Sequence, residues 1–169
     1  MYTLSETSLK MLKGVHPNLV NFMTELIKIS PWNFKITAGV RTAEEQNRLY
    51  QKGRTAPGAK VTNVDGYKLK SNHQIKFDGL GYAADIGVLV KEKVKVSVVE
   101  NGKKVEKVIE KDIYKGSWKD FHFYQDIYNT ANKAGLLEKY GIEWGGNCWR
   151  TFKDAPHWQI KGADRVPYK

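Results

Sequence analysis

Between Pro17 and Ile29 the chain places Leu19, Val20, Met23, Leu26 and Ile27 at intervals of three and four residues, which gathers them on one face of a helix. Pro17 suits the first turn, where its missing N–H is no loss, and Pro31 ends the run. A shorter helix is expected over residues 5–12, stopped by Gly14. After Pro31 the period becomes alternating: Phe34 and Ile36 are interleaved with Lys35 and Thr37, which predicts a strand running towards Gly39. Thr42, with Glu45 three residues on, is a capping-box signal for a helix from Ala43 to Lys52, closed by Gly53.

Residues 54–81 carry neither period and read as loop. Tyr82 to Val88 reads as a short apolar strand. Val94, Val96 and Val98 then alternate with polar or small residues, and Asn101-Gly102 is a two-residue turn signal. A hairpin is therefore expected near 93–111, with Val105 and Ile109 on the return strand. Phe121, Tyr124, Tyr128, Ala131 and Leu136 mark a helix from about Lys119 to Ala134, followed by short strands near Ile142–Trp144 and His157–Ile160. Neither a repeat nor a composition shift divides the chain. The pattern predicts one α+β domain over 1–169, a small, mainly antiparallel sheet with flanking helices.

Charge adds a constraint on partners. With 28 Lys+Arg against 18 Asp+Glu the formal net charge is +10, which favours polyanions such as nucleic acid, anionic wall polymers or a lipid surface. No helix carries a basic recognition face, so nucleic acid is not expected. The single cysteine, Cys148, excludes an intrachain disulfide and a zinc ribbon, and its expected role is that of a small buried residue. No apolar run is long enough to span a membrane, and the N-terminus lacks the basic start and apolar core of a secretory signal. Synthesis in the cytoplasm is expected, with a separate exit route for any work outside.

Candidate chemistry lies in three places: Ser71-Asn72-His73 with Asp85 downstream, Asp154 with His157, and Arg41 at the end of the first strand. Two imidazoles and one carboxylate suit a catalytic zinc, because three protein ligands leave the fourth tetrahedral position open. A further carboxylate, Asp154, is close enough in sequence to His157 to share the pocket and move a proton. Each residue also has a plainer reading. Arg41 could be a surface cation opening a helix, Asp154 could cap a turn, and the histidines could be ordinary polar residues. His16 reads as a helix-entry residue, and His122 as one that packs or faces solvent.

The wording around these residues resembles the zinc L-alanyl-D-glutamate endopeptidases and D-alanyl-D-alanine carboxypeptidases, particularly their phage endolysin branch. Leu4-Ser5-Glu6 and Gly14-Val15-His16-Pro17-Asn18-Leu19-Val20 are similar to the opening of those enzymes. Ile36-Thr37-Ala38-Gly39-Val40-Arg41-Thr42-Ala43-Glu44-Glu45-Gln46 matches their strand, arginine and helix, and Gly53-Arg54-Thr55 with Val61-Thr62-Asn63 continues the match. Ser71-x-His73 and Gly81-x-Ala83-x-Asp85 reproduce the two parts of the S-x-H-x-x-G-x-A-x-D motif. Trp144-Gly145-Gly146, Phe152-Lys153-Asp154 and Pro156-His157-Trp158-Gln159 resemble the family's ending.

That resemblance implies a Hedgehog/DD-peptidase-like zinc peptidase fold, with His73, Asp85 and His157 as zinc ligands and Asp154 as general base, then acid. It implies that Arg41 lies near the substrate, stabilising a carbonyl oxygen or a stem-peptide carboxylate. Ser71 would orient His73, touch substrate or shape the loop, and Trp158 would pack beside the metal. Two departures stand out. Five more residues separate His73 from Asp85 than in the family pattern, which makes Asp78 a rival third ligand. Asn147-Cys148-Trp149 stands where the family carries Asp-Trp.

The expected function is hydrolysis of peptidoglycan stem peptides at the L-alanyl–D-glutamate bond, by a monomeric lysin made in a phage-infected host and released with a holin. Carboxypeptidase action on terminal D-alanine is the alternative within the same chemistry. A catalytically inert wall-binding module is the alternative outside it, against which the intact Asp154 argues. No separate wall-binding domain is expected. The lysine-bearing hairpin either holds anionic wall polymers or simply solvates an exposed edge.

Overall fold

Ser5, His16 and Thr42 each supply a side-chain acceptor to a backbone N–H that a helix start would leave unpaired. They open α1 (Glu6–Met11), α2 (Pro17–Ile29) and α3 (Ala43–Gln51). The Thr42–Glu45 capping box is present in full: Thr42 Oγ accepts from Glu45 N at 3.1 Å, and Thr42 N donates to the Glu45 carboxylate at 2.8 Å. In this computed structural model residues 1–148 and 153–169 are described. Trp149 of the Asn147-Cys148-Trp149 departure, Phe152 of the ending motif and the expected burial of Cys148 lie outside the described residues.

Among the described residues five strands form one sheet: β1 (Asn33–Ala38), β2 (Ala83–Glu100), β3 (Lys103–Lys115), β4 (Ile142–Trp144) and β5 (His157–Ile160). Every pairing between them is antiparallel, in the order β1-β2-β5-β4, with β3 on β2. The remaining helices are α4 (Phe121–Lys133), entered through a 3₁₀ turn at Trp118–Asp120, α5 (Leu136–Tyr140) and α6 (Gly145–Cys148). The α+β class and the small sheet with flanking helices follow the expectation.

One expectation needs correction. The apolar strand at Tyr82–Val88 and the outgoing arm of the hairpin are one continuous 18-residue strand, β2. Side-chain burial changes near Val88, but ladder hydrogen bonds come from the backbone and run on through that change. The hairpin accordingly pairs from Val88↔Lys115 to Glu100↔Lys103, wider than 93–111. Its turn is as expected, with Asn101 at φ 50° and Gly102 at φ 76°, both in the left-handed region a two-residue turn requires. The helix expected from about Lys119 to Ala134 is α4, capped at Ala134, and Gly135 at φ 71° separates it from α5.

Alternation along the strands separates two faces. Ala84, Ile86 and Val88 of β2, Trp144 of β4 and Trp158 of β5 point into the core. There they join Leu19, Phe22, Met23 and Leu26 of α2 and Tyr124, Ile127 and Ala131 of α4. Truncating a tryptophan buried as fully as Trp158 costs about 3–5 kcal/mol, so β5 is anchored firmly from behind. The residues between these positions face the other way.

Candidate metal centre

On the face away from the helices, Asp85 pairs across the ladder with His157, Ala83 with Gln159, and Gln159 in turn with Glu143 of β4. Period-2 alternation thus places Asp85, His157, Gln159 and Glu143 on one surface. His73 joins them from the segment between α3 and β2, which contains no regular element. The end of β1 clasps it: Arg41 N donates to His73 O at 2.9 Å, and His73 Nδ1 donates to Gly39 O at 2.7 Å. Gly39 is required there, since a Cβ would lie 1.9 Å from the Met11 carbonyl oxygen. Ser71 Oγ accepts from His73 N at 3.3 Å, and Ser71 N donates to Gln74 Oε1 at 2.8 Å, so Ser71 shapes the turn that carries the histidine.

Three atoms converge. His73 Nε2 and His157 Nδ1 each lie 3.1 Å from Asp85 Oδ1 and 3.3 Å from each other. The second nitrogen of each ring is occupied by an oxygen: Gly39 O for His73, and Gln159 Oε1, at 2.9 Å, for His157. Gln159 is turned that way because its amide N–H donates to Glu143 at 2.6 Å. Both rings therefore carry their proton on the outer nitrogen and present lone pairs inward, the tautomers that metal ligation needs. Three acceptors at such spacing repel one another unless a cation lies between them. Tetrahedral zinc with bonds of about 2.0–2.1 Å holds its ligand atoms roughly 3.3 Å apart, so the triangle fits that ion. His73, Asp85 and His157 are thus a group able to hold a metal.

Asp78 is not part of it. Its carboxylate accepts from the Tyr82 hydroxyl at 2.8 Å and from Leu80 N at 3.1 Å, within the inserted loop. The insertion is docked against the C-terminal segment: Phe77 N donates to Pro167 O at 3.0 Å, and Lys76 Nζ lies 3.4 Å from the Tyr168 ring centroid. Lys76 also donates to Asn72 Oδ1 at 2.8 Å, while Asn72 Nδ2 donates to Gln159 Oε1 at 3.0 Å. The extra residues therefore fold back and brace both histidines, which leaves Asp85 as the third member.

Arg41 reaches the group through Asp85, with Nη2 3.1 Å from Oδ2, while its Nη1 donates to Gln46 Oε1 at 2.8 Å. Burial alone would raise the Asp85 carboxyl, but His73 and His157 hold it well below the usual carboxylate range. Burial pushes His73 down; it pushes His157 down too, but hydrogen bonding and charge from Asp85 outweigh it and leave His157 raised. Asp154 sits in the turn before β5, where its carbonyl accepts from His157 N at 3.2 Å and its N–H donates to Gly145 O at 3.1 Å. Burial, then the negative charge of Asp85, raises its carboxyl to about 6, against the pull of His157 and Arg41. A cleft of about 280 Å³ opens beside it, with Trp118 and Lys153 in its wall.

The structure brings together all of His73, Asp85, His157, Asp154 and Arg41. His16 caps α2, and His122 lies exposed against Phe123, as expected of both. Gln159, Glu143, Asn72 and Gln46 are supporting residues to which sequence reasoning gave no role. The alternation His157-Trp158-Gln159 was the available signal for Gln159; nothing local marks the other three.

Comparison with known proteins gives a family, a relative and a shared fold. Residues 1–115 match the family model of the phage L-alanyl-D-glutamate peptidases, a stretch that includes His73 and Asp85. The peptidoglycan L-alanyl-D-glutamate endopeptidase CwlK of Bacillus subtilis (strain 168) is 29% identical over 125 residues, 74% of this chain and 59% of that protein. The chain thus spans about three fifths of that relative's length. The crystal structure of the Serratia marcescens L-Ala D-Glu endopeptidase ChiX shares the fold, with a TM-score of 0.60 at 22% identity over 97% of this chain and 93% of that one.

Proposed function

The chain belongs to the phage L-alanyl-D-glutamate peptidase family, and from that membership and its site we propose that it is a zinc-dependent endopeptidase cutting the L-alanyl–D-glutamate bond of peptidoglycan stems. The observation that carries the proposal is the triangle of three acceptor atoms, 3.1–3.3 Å on a side, with Asp154 beside it. The fold this supports is that of the Hedgehog/DD-peptidase-like zinc peptidases. Residues 1–169 act as one catalytic domain bearing the β2–β3 hairpin.

His73, Asp85 and His157 would hold the zinc ion. When bound, zinc supplies Lewis-acid polarisation of the scissile carbonyl and lowers the pKa of water. The rest falls to the chain. Asp154 takes the proton of the attacking water on its carboxylate and returns it to the leaving amine nitrogen, and a carboxyl held near 6 can do both near neutrality. Arg41 fixes Asp85 against the rings and keeps its charge. Gly39 and Gln159 keep each imidazole proton on the outer nitrogen. We further propose a monomeric phage lysin that reaches the host wall by holin-assisted release; the phage origin in the family's description supports the first part of that reading. Among the described residues no helix is long and apolar enough to cross a membrane.

Asp154→Ala should retain zinc, measured by elemental analysis, and lose about 10²–10⁴-fold in turnover on purified peptidoglycan. Full activity in that variant would remove Asp154 from the mechanism. The ionised form of Asp154 is the base, so kcat/KM should fall as pH drops through a limb at or below about 6, since a bound cation favours ionisation further.

A further inference from the structure

We infer that the cleft beside Asp154 receives the free carboxylate of the stem's glutamyl residue, with Lys60 and Lys153 as its cations; this rests on the endopeptidase reading above. The cleft occupies a gap in the sheet. Asp85 and Val88 of β2 pair with β1 on one edge, and with His157 of β5 and Lys115 of β3 on the other. Between those two partners the same edge of β2 is left to the turns that enter β5 and leave β3, with Ile86 N donating to Pro156 O at 2.9 Å. Those turns, together with Lys60 and Val61 from the loop after α3, enclose the cleft. Asp154 and Pro156 belong to its lining, and the Asp154 carbonyl accepts from His157 N at 3.2 Å, so the cleft lies beside the metal centre along the turn that enters β5.

Its chemistry suits an acid with an apolar stem. Lys60 and Lys153 approach from two separate segments, and neither has a carboxylate partner among the described residues. The guanidinium nearest the metal group is already committed, since Arg41 binds Asp85 and Gln46. Lys153 Nζ stands 5.6 Å from the Phe121 ring centroid. Phe121 in turn stacks with Trp118 at 6.3 Å and 21°. Trp118 is 69% exposed and supplies an apolar wall. Such a wall lowers the local dielectric and strengthens an ion pair formed beside it. A glutamyl residue has two carboxyl groups, and continuing the peptide consumes one. The residue on the amine side of the scissile bond therefore keeps one carboxylate unless it is amidated. Two lysines more than offset the charge of Asp154 in receiving it.

The test uses the zinc-loaded protein and two synthetic stem peptides with the same L-alanyl-D-glutamyl bond, one with the free glutamyl carboxylate and one with its carboxamide. The acid should be preferred by about tenfold in kcat/KM, as a charge-assisted contact gives. Lys60→Ala combined with Lys153→Ala should erase that preference through KM of the acid peptide, with zinc content intact and the amide peptide cleaved as before. Equal handling of both peptides by the unmodified protein would overturn the assignment. So would variants that slow both peptides alike, or an acid preference that survives in the double variant and disappears in Arg41→Ala. A zinc-loaded protein that cuts neither peptide contradicts the endopeptidase reading itself, and the subsite falls with it.

Discussion

His157 presents Nδ1 to the metal group because Gln159 occupies its Nε2, and Gln159 is turned that way by Glu143. Removing such an outer partner loosens the ring and frees its tautomer, which typically costs 10–100-fold in metal affinity. Gln159→Leu should therefore weaken zinc binding about 10–100-fold in competition with a chromophoric chelator, while the ligand set stays the same. Unchanged affinity would show that the strand alone positions His157. His73, Asp85 and His157 were legible in the sequence because the words around them survive, even across the insertion. Their supports were not. Arg41 meets Asp85 across 44 positions and Asn72 meets Gln159 across 87, pairings that only the finished fold creates. Arg41 was expected beside substrate, and its guanidinium is found on the Asp85 carboxylate.

At the scale of elements, local signals transferred well wherever the physics is local. The Thr42–Glu45 box, Pro17 at a helix start and Asn101-Gly102 at a turn act within four residues, and each is present. The continuity of β2 was hidden because side-chain pattern changes near Val88 while the backbone ladder does not. The hairpin's lysines also look different once paired. Lys91, Glu92 and Lys93 stand opposite Asp112, Lys111 and Glu110, so several charges face their opposites across the ladder. From Lys103 to Asp112 the return strand is exposed and contributes nothing to the buried cluster. Replacing residues 94–109 with a two-residue turn should leave zinc content and cleavage of soluble stem peptides within about twofold, as surface changes do. Loss of folding in circular dichroism would show that the hairpin supports the core after all.

Across the whole molecule, the insertion, the C-terminal segment and the metal face act as one braced unit. Lys76 is fully buried against Asn72 and Tyr168, and burial lowers its ammonium from the ordinary 10.5 to about 8. The folded protein therefore holds that proton less tightly than the unfolded chain, and unfolding takes up a proton between about 8 and 10.5. Stability should rise with pH from about 8 until Tyr124 and Tyr168, whose hydroxyls burial holds protonated, begin to oppose it above 10. Denaturant midpoints should show this rise, and Lys76→Met should flatten it; an equal rise in both would acquit Lys76. The central claim is that this braced face cuts one bond. Mass spectrometry of muropeptides after digestion tests it most directly, with zinc-loaded and chelator-treated protein side by side. New L-alanine C-termini with matching D-glutamyl N-termini, formed only by the zinc-loaded protein, are the predicted result. Loss of terminal D-alanine, or intact stems despite bound zinc, would contradict it.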